Sequence, residues 1–342
     1  MTWRMPAETA PQDRVWMAFP AGGYTLGDTA AEADEARRTW AAVAHAIVDF
    51  EPVTMVVDPS AQADATRYLS AAIEILEAPL NDSWMRDIGP SFVHDADGRL
   101  GAVDWTFNGW GDQEWASWDL DASIGRFVAE AAGAAVVGSS LVNEGGGIHV
   151  DGEGTVLATT SVQLDPARNP GATHASVEAE LRRTIGAEHV VWLPRGLTRD
   201  HTRFGTRGHI DMVAALPSAG TILLHAQNDP AHPDYPLTRE LRALLADAHD
   251  AAGRSFTIID LPAPAVVRDD EGFVDYNYVN HLVVNGGVIA CGFGDDRADA
   301  QARDVLAATY PGRRVVSVEA RPLFTRGGGI HCITQQQPSQ RA

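Results

Sequence analysis

Residues 29–49 place Trp40, Val43, Ala44 and Ile47 at helical spacing, so one face of this stretch is apolar and the other polar. Asp28 or Thr29 can cap its start, and Pro52 lies just past its end. The same pattern predicts helices near 61–71, 121–132, 174–185, 237–251 and 297–309. Apolar runs of strand length separate them. They are VWMAFP (15–20), VTMVVD (53–58), IEILEAPL (73–80), TVLATTSVQL (155–164), HVVWLP (189–194), DMVAAL (211–216), TILLHA (221–226), HLVVNGGVIACGFG (281–294) and RRVVSVEA (313–320). Strands and helices alternate from end to end, and neither a low-complexity linker nor a sharp change of composition interrupts them. The reading is an α/β fold with residues 1–342 as one domain.

A second pattern lies over the first. The pentapeptide GGGIH occurs twice, at 145–149 after Glu144 and at 327–331 after Arg326. Three further stretches resemble these two, each leading from glycine and polar residues into an apolar strand. The five are DSWMRDIGPSFV (82–93), EGGGIHVDGEGTVLAT (144–159), RGHIDMVAALPSAGTILL (207–224), NHLVVNGGVIACGF (280–293) and RGGGIHCITQQQP (326–338). Most neighbours are about 50–70 residues apart with one helix between them, which suggests five strand–helix units around a pseudo-rotation axis. The competing architecture is a doubly wound sheet. No G-x-G-x-x-G opens a helix, which argues against a dinucleotide fold.

Composition narrows the function classes. The net charge is −20 and the chain contains no Lys, so binding to nucleic acid or to an anionic membrane is disfavoured. No apolar run is long enough to span a bilayer, and the N-terminal residues lack the pattern of a secretory signal, so a cytoplasmic location is expected. Cys291 and Cys332 are the only cysteines. They form no C-x-x-C, and no H-E-x-x-H is present, so neither a disulfide framework nor a metal motif is indicated.

Several residues can carry chemistry. Cys332 follows the second GGGIH, where the first copy continues with Val150. Packing alone is satisfied by Val at that strand position, so a Cys there is either a small buried hydrophobe or a nucleophile. Cys291, in an apolar strand, reads as core. In GHIDM, His209 and Asp211 sit two apart, which on a strand puts an imidazole and a carboxylate on one face. NDSWMRDIGP combines Asp82, Trp84 and Asp87, a ring and acids suited to a cation, or else a capped turn around a packed Trp. Glu144 heads the first GGGIH, where it either binds backbone N–H groups or faces the site. A thiol, an imidazole and several carboxylates at the heads of equivalent units suit a planar cation with an electrophilic carbon, a guanidinium above all.

NDSWMRDIGPSFV, EGGGIHVDGEGT, RGHIDM and GGGIHCITQQQP together resemble, in order and over nearly the whole chain, the agmatine deiminases and bacterial peptidyl-arginine deiminases of the guanidino-modifying pentein superfamily. The resemblance implies a five-bladed pseudo-symmetric α/β propeller. It implies Cys332 as nucleophile, His209 as general acid/base, Asp87 and Asp211 as carboxylates gripping the guanidinium, Glu144 beside the imidazole and Trp84 lining the pocket. The implied reaction converts agmatine and water to N-carbamoylputrescine and ammonia, a step towards putrescine and the polyamines. No metal or organic cofactor is implied. The expected partner is a small guanidino substrate, and a homo-oligomer is compatible with the sequence.

Two departures qualify the substrate. Gly329 stands where the family has Asn, and the loop RDHTRFGTRGHID differs from the family's acidic loop. Arg203 and Arg207 in that loop suit a substrate carboxylate, as in arginine or another guanidino acid, unless they face solvent or pair with acids such as Asp200. An amidinotransferase is a further alternative. A non-catalytic pentein has no need of all five candidate residues.

Overall fold

The computed structural model describes residues 2–340 and is α/β, with strands and helices alternating as the hydrophobic pattern requires. The first long helix runs Ala30–Val48 and buries Trp40, Val43, Ala44 and Ile47. Thr29 begins it with a capping box. Its side chain accepts from the Glu32 backbone N–H, while the Glu32 carboxylate accepts from Thr29 N–H at 2.8 Å.

Five sheets share one strand order. Thr334–Pro338 pairs antiparallel with Gln12–Ala18, which pairs parallel with Val53–Val57, and Glu74–Glu77 extends this sheet. The others follow the same rule: Ser91–His94, Leu100–Thr106 and Ala135–Val142; Ile148–Val150, Thr155–Thr159 and His189–Leu193; Ala214–Ser218, Thr221–Ala226 and Thr257–Pro262; Leu282–Val284, Gly287–Gly292 and Arg314–Glu319. In each, an antiparallel pair is followed by a third strand parallel to the second. One helix of two or more turns makes each of these five crossovers, since parallel neighbours cannot be joined by a tight turn. These helices are Ala30–Val48, Ile124–Ala131, His174–Ile185, Asp234–Asp247 and Asp296–Thr309. A short ribbon, Arg268–Asp269 with Gly272–Phe273, stands apart.

The apolar core forms one large cluster and one smaller one. Trp3, Val93, Trp105, Ile148 and Leu181 belong to the smaller, which joins the second and third sheets. No helix among the described residues is long and apolar enough to cross a membrane.

The predicted helices match within a few residues, but some strands differ. The run 281–294 is two strands, because Asn285 and Gly286 turn the chain, with Gly286 at φ 71°. The run 155–164 ends as a strand at Thr159, where a helical turn, Thr160–Gln163, takes over. His209 and Asp211 are not on a strand. Ile210–Met212 is a 3-10 turn closed by Val213 N–H to Ile210 C=O at 2.9 Å, and the strand begins at Ala214. Val150 is in a strand, but Cys332 lies in a turn and its strand starts only at Thr334.

Candidate active site

Short turns, rather than long elements, deliver the candidate residues. Asp87 lies on the one-turn helix Met85–Ile88, and Glu144 precedes the 3-10 turn Gly145–Gly147. His209 precedes the turn that carries Asp211, and Cys332 ends the second tri-glycine segment. All five are at most 4% exposed.

Their side chains meet. Cys332 Sγ lies 3.5 Å from Asp211 Oδ2. His209 Nε2 is 3.2 Å from Glu144 Oε2, and its Nδ1 faces Asp87 Oδ1 at 3.8 Å. Asp87 is aimed by two donors, Trp110 Nε1 at 2.9 Å and Gly146 N–H at 3.2 Å. His209 Nδ1 and Asp211 Oδ1 are buried without a hydrogen-bond partner in the protein. A Cβ on Gly146 would come within 2.6 Å of His209 Nδ1 and 3.0 Å of both Asp211 Oδ2 and Asp87 Oδ1. The missing side chain therefore lets the backbone approach the point where imidazole and carboxylates converge.

The charges separate the roles. Burial would push Glu144 up, but the Arg168 guanidinium and His209 bring it down to about 2. Burial would depress His209, yet Asp87, Glu144 and Asp211 raise it to about 9, so the ring is an imidazolium at neutral pH. Asp87 is pushed up to about 6, chiefly by burial and by the other two carboxylates against the pull of His209. Burial, Asp211 and Asp87 hold the Cys332 thiol well above its ordinary value. Held there, the thiol is protonated at neutral pH.

A second layer of contacts pins the turn of Cys332. Asn280 Nδ2 donates to Cys332 Sγ at 3.1 Å, and Asn280 Oδ1 accepts from His331 N–H at 2.9 Å. This explains Gly329, because a Cβ there would lie 2.4 Å from Asn280 Oδ1. Arg86 donates backbone N–H to Cys332 C=O and Nε to His331 C=O, at 3.1 and 3.2 Å. His331 bridges two acids, Nδ1 to Asp211 Oδ2 at 2.9 Å and Nε2 to Glu8 Oε1 at 2.8 Å. Burial opposes the charge on His331, as does Arg86, but Glu8 and Asp211 raise the ring above the ordinary imidazole value.

Glu8, His149 and His331 hold their ligand atoms within 4.8 Å of one another, a spacing that suits a metal. The donor set does not fit one. His149 Nδ1 accepts from Leu216 N–H, which puts the ring proton on Nε2, facing Glu8. Arg86 Nη1 lies 3.5 Å from the same carboxylate. The cluster is a group of ions beside a neutral ring, with His331 hydrogen-bonded to Glu8.

The remaining sequence candidates fall in different places. Trp84 is buried in the site wall, and a Cβ on Gly328 would touch both its ring (2.8 Å) and Cys332 Sγ (2.9 Å). Arg207 does not reach the five. Its Nη1 binds Asp165 Oδ2 at 2.7 Å. Arg203 stacks on Phe204 and lines a 430 Å³ cavity with Arg199, His232, Asp234 and Glu271, a lining that contains none of the five. Asp200 instead organises this loop. Its carboxylate accepts from Thr206 N–H, Thr206 Oγ1, Gly208 N–H and His209 N–H at 2.6–3.1 Å, while Arg207 is held at φ 70°.

Sequence reasoning missed Glu8, Arg86, Arg168, Asp200, Asn280 and His331 as parts of the site. Arg86, Asn280 and His331 left a signal, since each lies in one of the five similar stretches; Glu8, Arg168 and Asp200 did not.

The family of Porphyromonas-type peptidyl-arginine deiminases matches residues 4–338. A Streptomyces coelicolor protein named "Putative agmatine deiminase" is 51% identical over 339 residues, covering 99% of each chain. Agmatine deiminase of Pseudomonas syringae pv. tomato is 37% identical, covering 98% of this chain and 96% of its own. The solved structure of agmatine deiminase of Enterococcus faecalis superposes with a TM-score of 0.92 at 31% identity, covering 99% of this chain and 97% of that one. With its motifs, site geometry and full-length similarity all in agreement, the chain belongs to the Porphyromonas-type peptidyl-arginine deiminase family.

Proposed function

We propose that this protein is a hydrolase that deiminates agmatine, releasing N-carbamoylputrescine and ammonia. One observation carries the reading. The Cys332 thiol and the Asp87 and Glu144 carboxylates lie beside His209 and Asp211, each of which keeps one buried polar atom, His209 Nδ1 and Asp211 Oδ1, without a protein partner. A guanidinium offers N–H donors to the carboxylates and a carbon to the sulfur. Its charge offsets Asp87 and Asp211, the acids that hold the thiol protonated, so that substrate binding favours the thiolate.

The steps follow from these positions. Asp87 and Asp211 hold the guanidinium, Cys332 gives up its proton to solvent, and the thiolate attacks the guanidinium carbon. His209 donates a proton to the departing nitrogen, ammonia leaves, and an S-alkylthiouronium remains on Cys332. The now neutral His209 takes a proton from water as the hydroxyl adds to the carbon. The C–S bond then breaks as the hydroxyl proton passes to the departing sulfur, which frees the ureido product and restores the Cys332 thiol. Glu144 stabilises the imidazolium at the beginning and end of the cycle. Trp84 forms the wall beside Cys332.

The family relatives named agmatine deiminase support agmatine as substrate. So does the pairing of Arg207 with Asp165, which leaves that guanidinium poorly placed for a substrate carboxylate. We further infer that residues 1–342 form a single catalytic domain with the five sheets standing around one axis, as a five-bladed propeller. The strand order common to all five supports this. An ammonia-release assay on agmatine, arginine and short guanidino acids, with and without amine acceptors, tests the function. Agmatine should be turned over at least tenfold better than any carboxylated analogue. Preference for a guanidino acid, or amidino transfer to an acceptor in place of ureido product, overturns it.

A further inference from the structure

Arg168 lies outside every motif that pointed to the site, and its side chain is fully buried. Its three nitrogens reach three segments of the chain. Nε donates to both oxygens of Glu144 at 3.0 and 3.1 Å, Nη1 meets Asp165 Oδ2 at 3.1 Å, and Nη2 donates to Thr206 C=O at 2.7 Å. Asp165 also holds Arg207 Nη1, and Glu144 also holds His209 Nε2. The result is a line of alternating charge, Arg207, Asp165, Arg168, Glu144, His209. Its outer end is covered by the loop at Gly111, where a Cβ would fall 2.8 Å from Asp165 Oδ2. Trp110 of the same loop donates to Asp87.

We propose that Arg168 is a positioning residue of the reaction, locking the Glu144 carboxylate and the His209 loop into one geometry. The proposal rests on the deiminase reading above. A buried carboxylate stays ionised only when a partner compensates its desolvation, and a guanidinium fork does so in a fixed plane. Removing the fork frees Glu144 to protonate and releases Thr206, three residues before His209. The charged groups facing Glu144 are Arg168 and His209. Asp87 and Asp211 lie beyond His209, and Asp165 and Arg207 lie beyond Arg168.

The sign of the effect is fixed. Burial pushes Glu144 up, and Arg168 is the largest influence bringing it down to about 2. Without Arg168 its titration moves up into the working range. The test measures kcat and KM for agmatine against pH in the wild type, Arg168→Met and Arg168→Lys, with thermal melts for folding. In Arg168→Met the acid limb of kcat should move up by about one pH unit or more, with kcat at the optimum about 100-fold lower and KM within about threefold. Arg168→Lys keeps the charge but not the fork. It should return the acid limb to its wild-type position while kcat stays low. Where Arg168→Met fails to fold, Arg168→Gln is read in the same way. A folded charge-removing variant whose kcat profile keeps the wild-type shape, at full height or merely scaled down, overturns the proposal. Histidine-ring NMR follows the same ionisation without substrate: the His209 signal follows Asp87 near pH 6 in both proteins, and a second inflection from Glu144 between about pH 4 and 7 should appear only when Arg168 is removed. A wild type that releases no ammonia would defeat the deiminase reading and leave the NMR test standing.

Discussion

The two GGGIH segments are identical in sequence and opposite in use. In the first, Gly145–Gly147 form a 3-10 turn and His149 enters a strand with Val150. In the second, His331 and Cys332 remain in the turn, so the sulfur faces Asp211 instead of joining a sheet ladder. The flanking residues diverge as well. Glu144 is buried against Arg168 and His209, whereas Arg326 is absorbed in structural bonds to Thr25 C=O, Pro322 C=O and Glu35. The two histidines approach the same acid, Glu8, with ring centroids 6.1 Å apart. Yet burial drives His149 below the ordinary imidazole value, whereas His331, placed between two carboxylates, is raised. Five shared residues set a backbone shape, and what that shape delivers depends on the neighbours.

Four experiments sharpen or break this contrast. The largest effect belongs to Cys332→Ala, which should lower ureido formation by at least about 10⁴-fold with little change in melting temperature. Adding Val150→Cys to that variant should restore nothing, because residue 150 lies in a strand. Product from the double variant would make the two turns functionally equivalent, contrary to their geometry. Next comes Gly146→Ala, whose Cβ meets His209 and both carboxylates. Steady-state kinetics should show a loss of about 100-fold or more, as expected for an ångström-scale displacement of a reacting group.

Glu8→Gln probes the histidine pair. His331 has a raised folded value, so its contribution to stability is complete below the unfolded imidazole value of about 6.5 and is lost as pH rises through the folded one. The gap in melting temperature between wild type and Glu8→Gln should therefore be wider at pH 6 than at pH 9, with activity about tenfold lower. An equal gap at both pH values would show that His331 carries no proton of consequence. The smallest effect is expected for Arg203→Ala, whose turnover of agmatine should stay within about twofold of wild type, since a surface charge away from the reacting atoms contributes little.

The helices and most sheet strands were legible because burial imposes a period on them. Ala30–Val48 and Asp296–Thr309 follow the apolar spacing almost residue for residue. The turns that carry chemistry have no period, since three or four residues cannot show one. His209 and Asp211 were therefore placed on a strand when a 3-10 turn presents them. Cys332, His209, Asp87, Asp211 and Glu144 were legible as residues of a motif. Arg168 and Glu8 were not, because their partners lie 24 and 323 positions away and meet them only when the sheets have formed.

The pairing of Thr334–Pro338 with Gln12–Ala18 has a consequence for biogenesis. Glu8 and the strands Gln12–Ala18, Val53–Val57 and Glu74–Glu77 leave the ribosome long before His331 and Cys332, and the turn of Cys332 is anchored by the strand that follows it. Such distant pairings form slowly and late. During translation the thiol is therefore an ordinary cysteine on a growing chain, and the pocket proposed to activate it is complete only when Thr334–Pro338 has closed onto Gln12–Ala18.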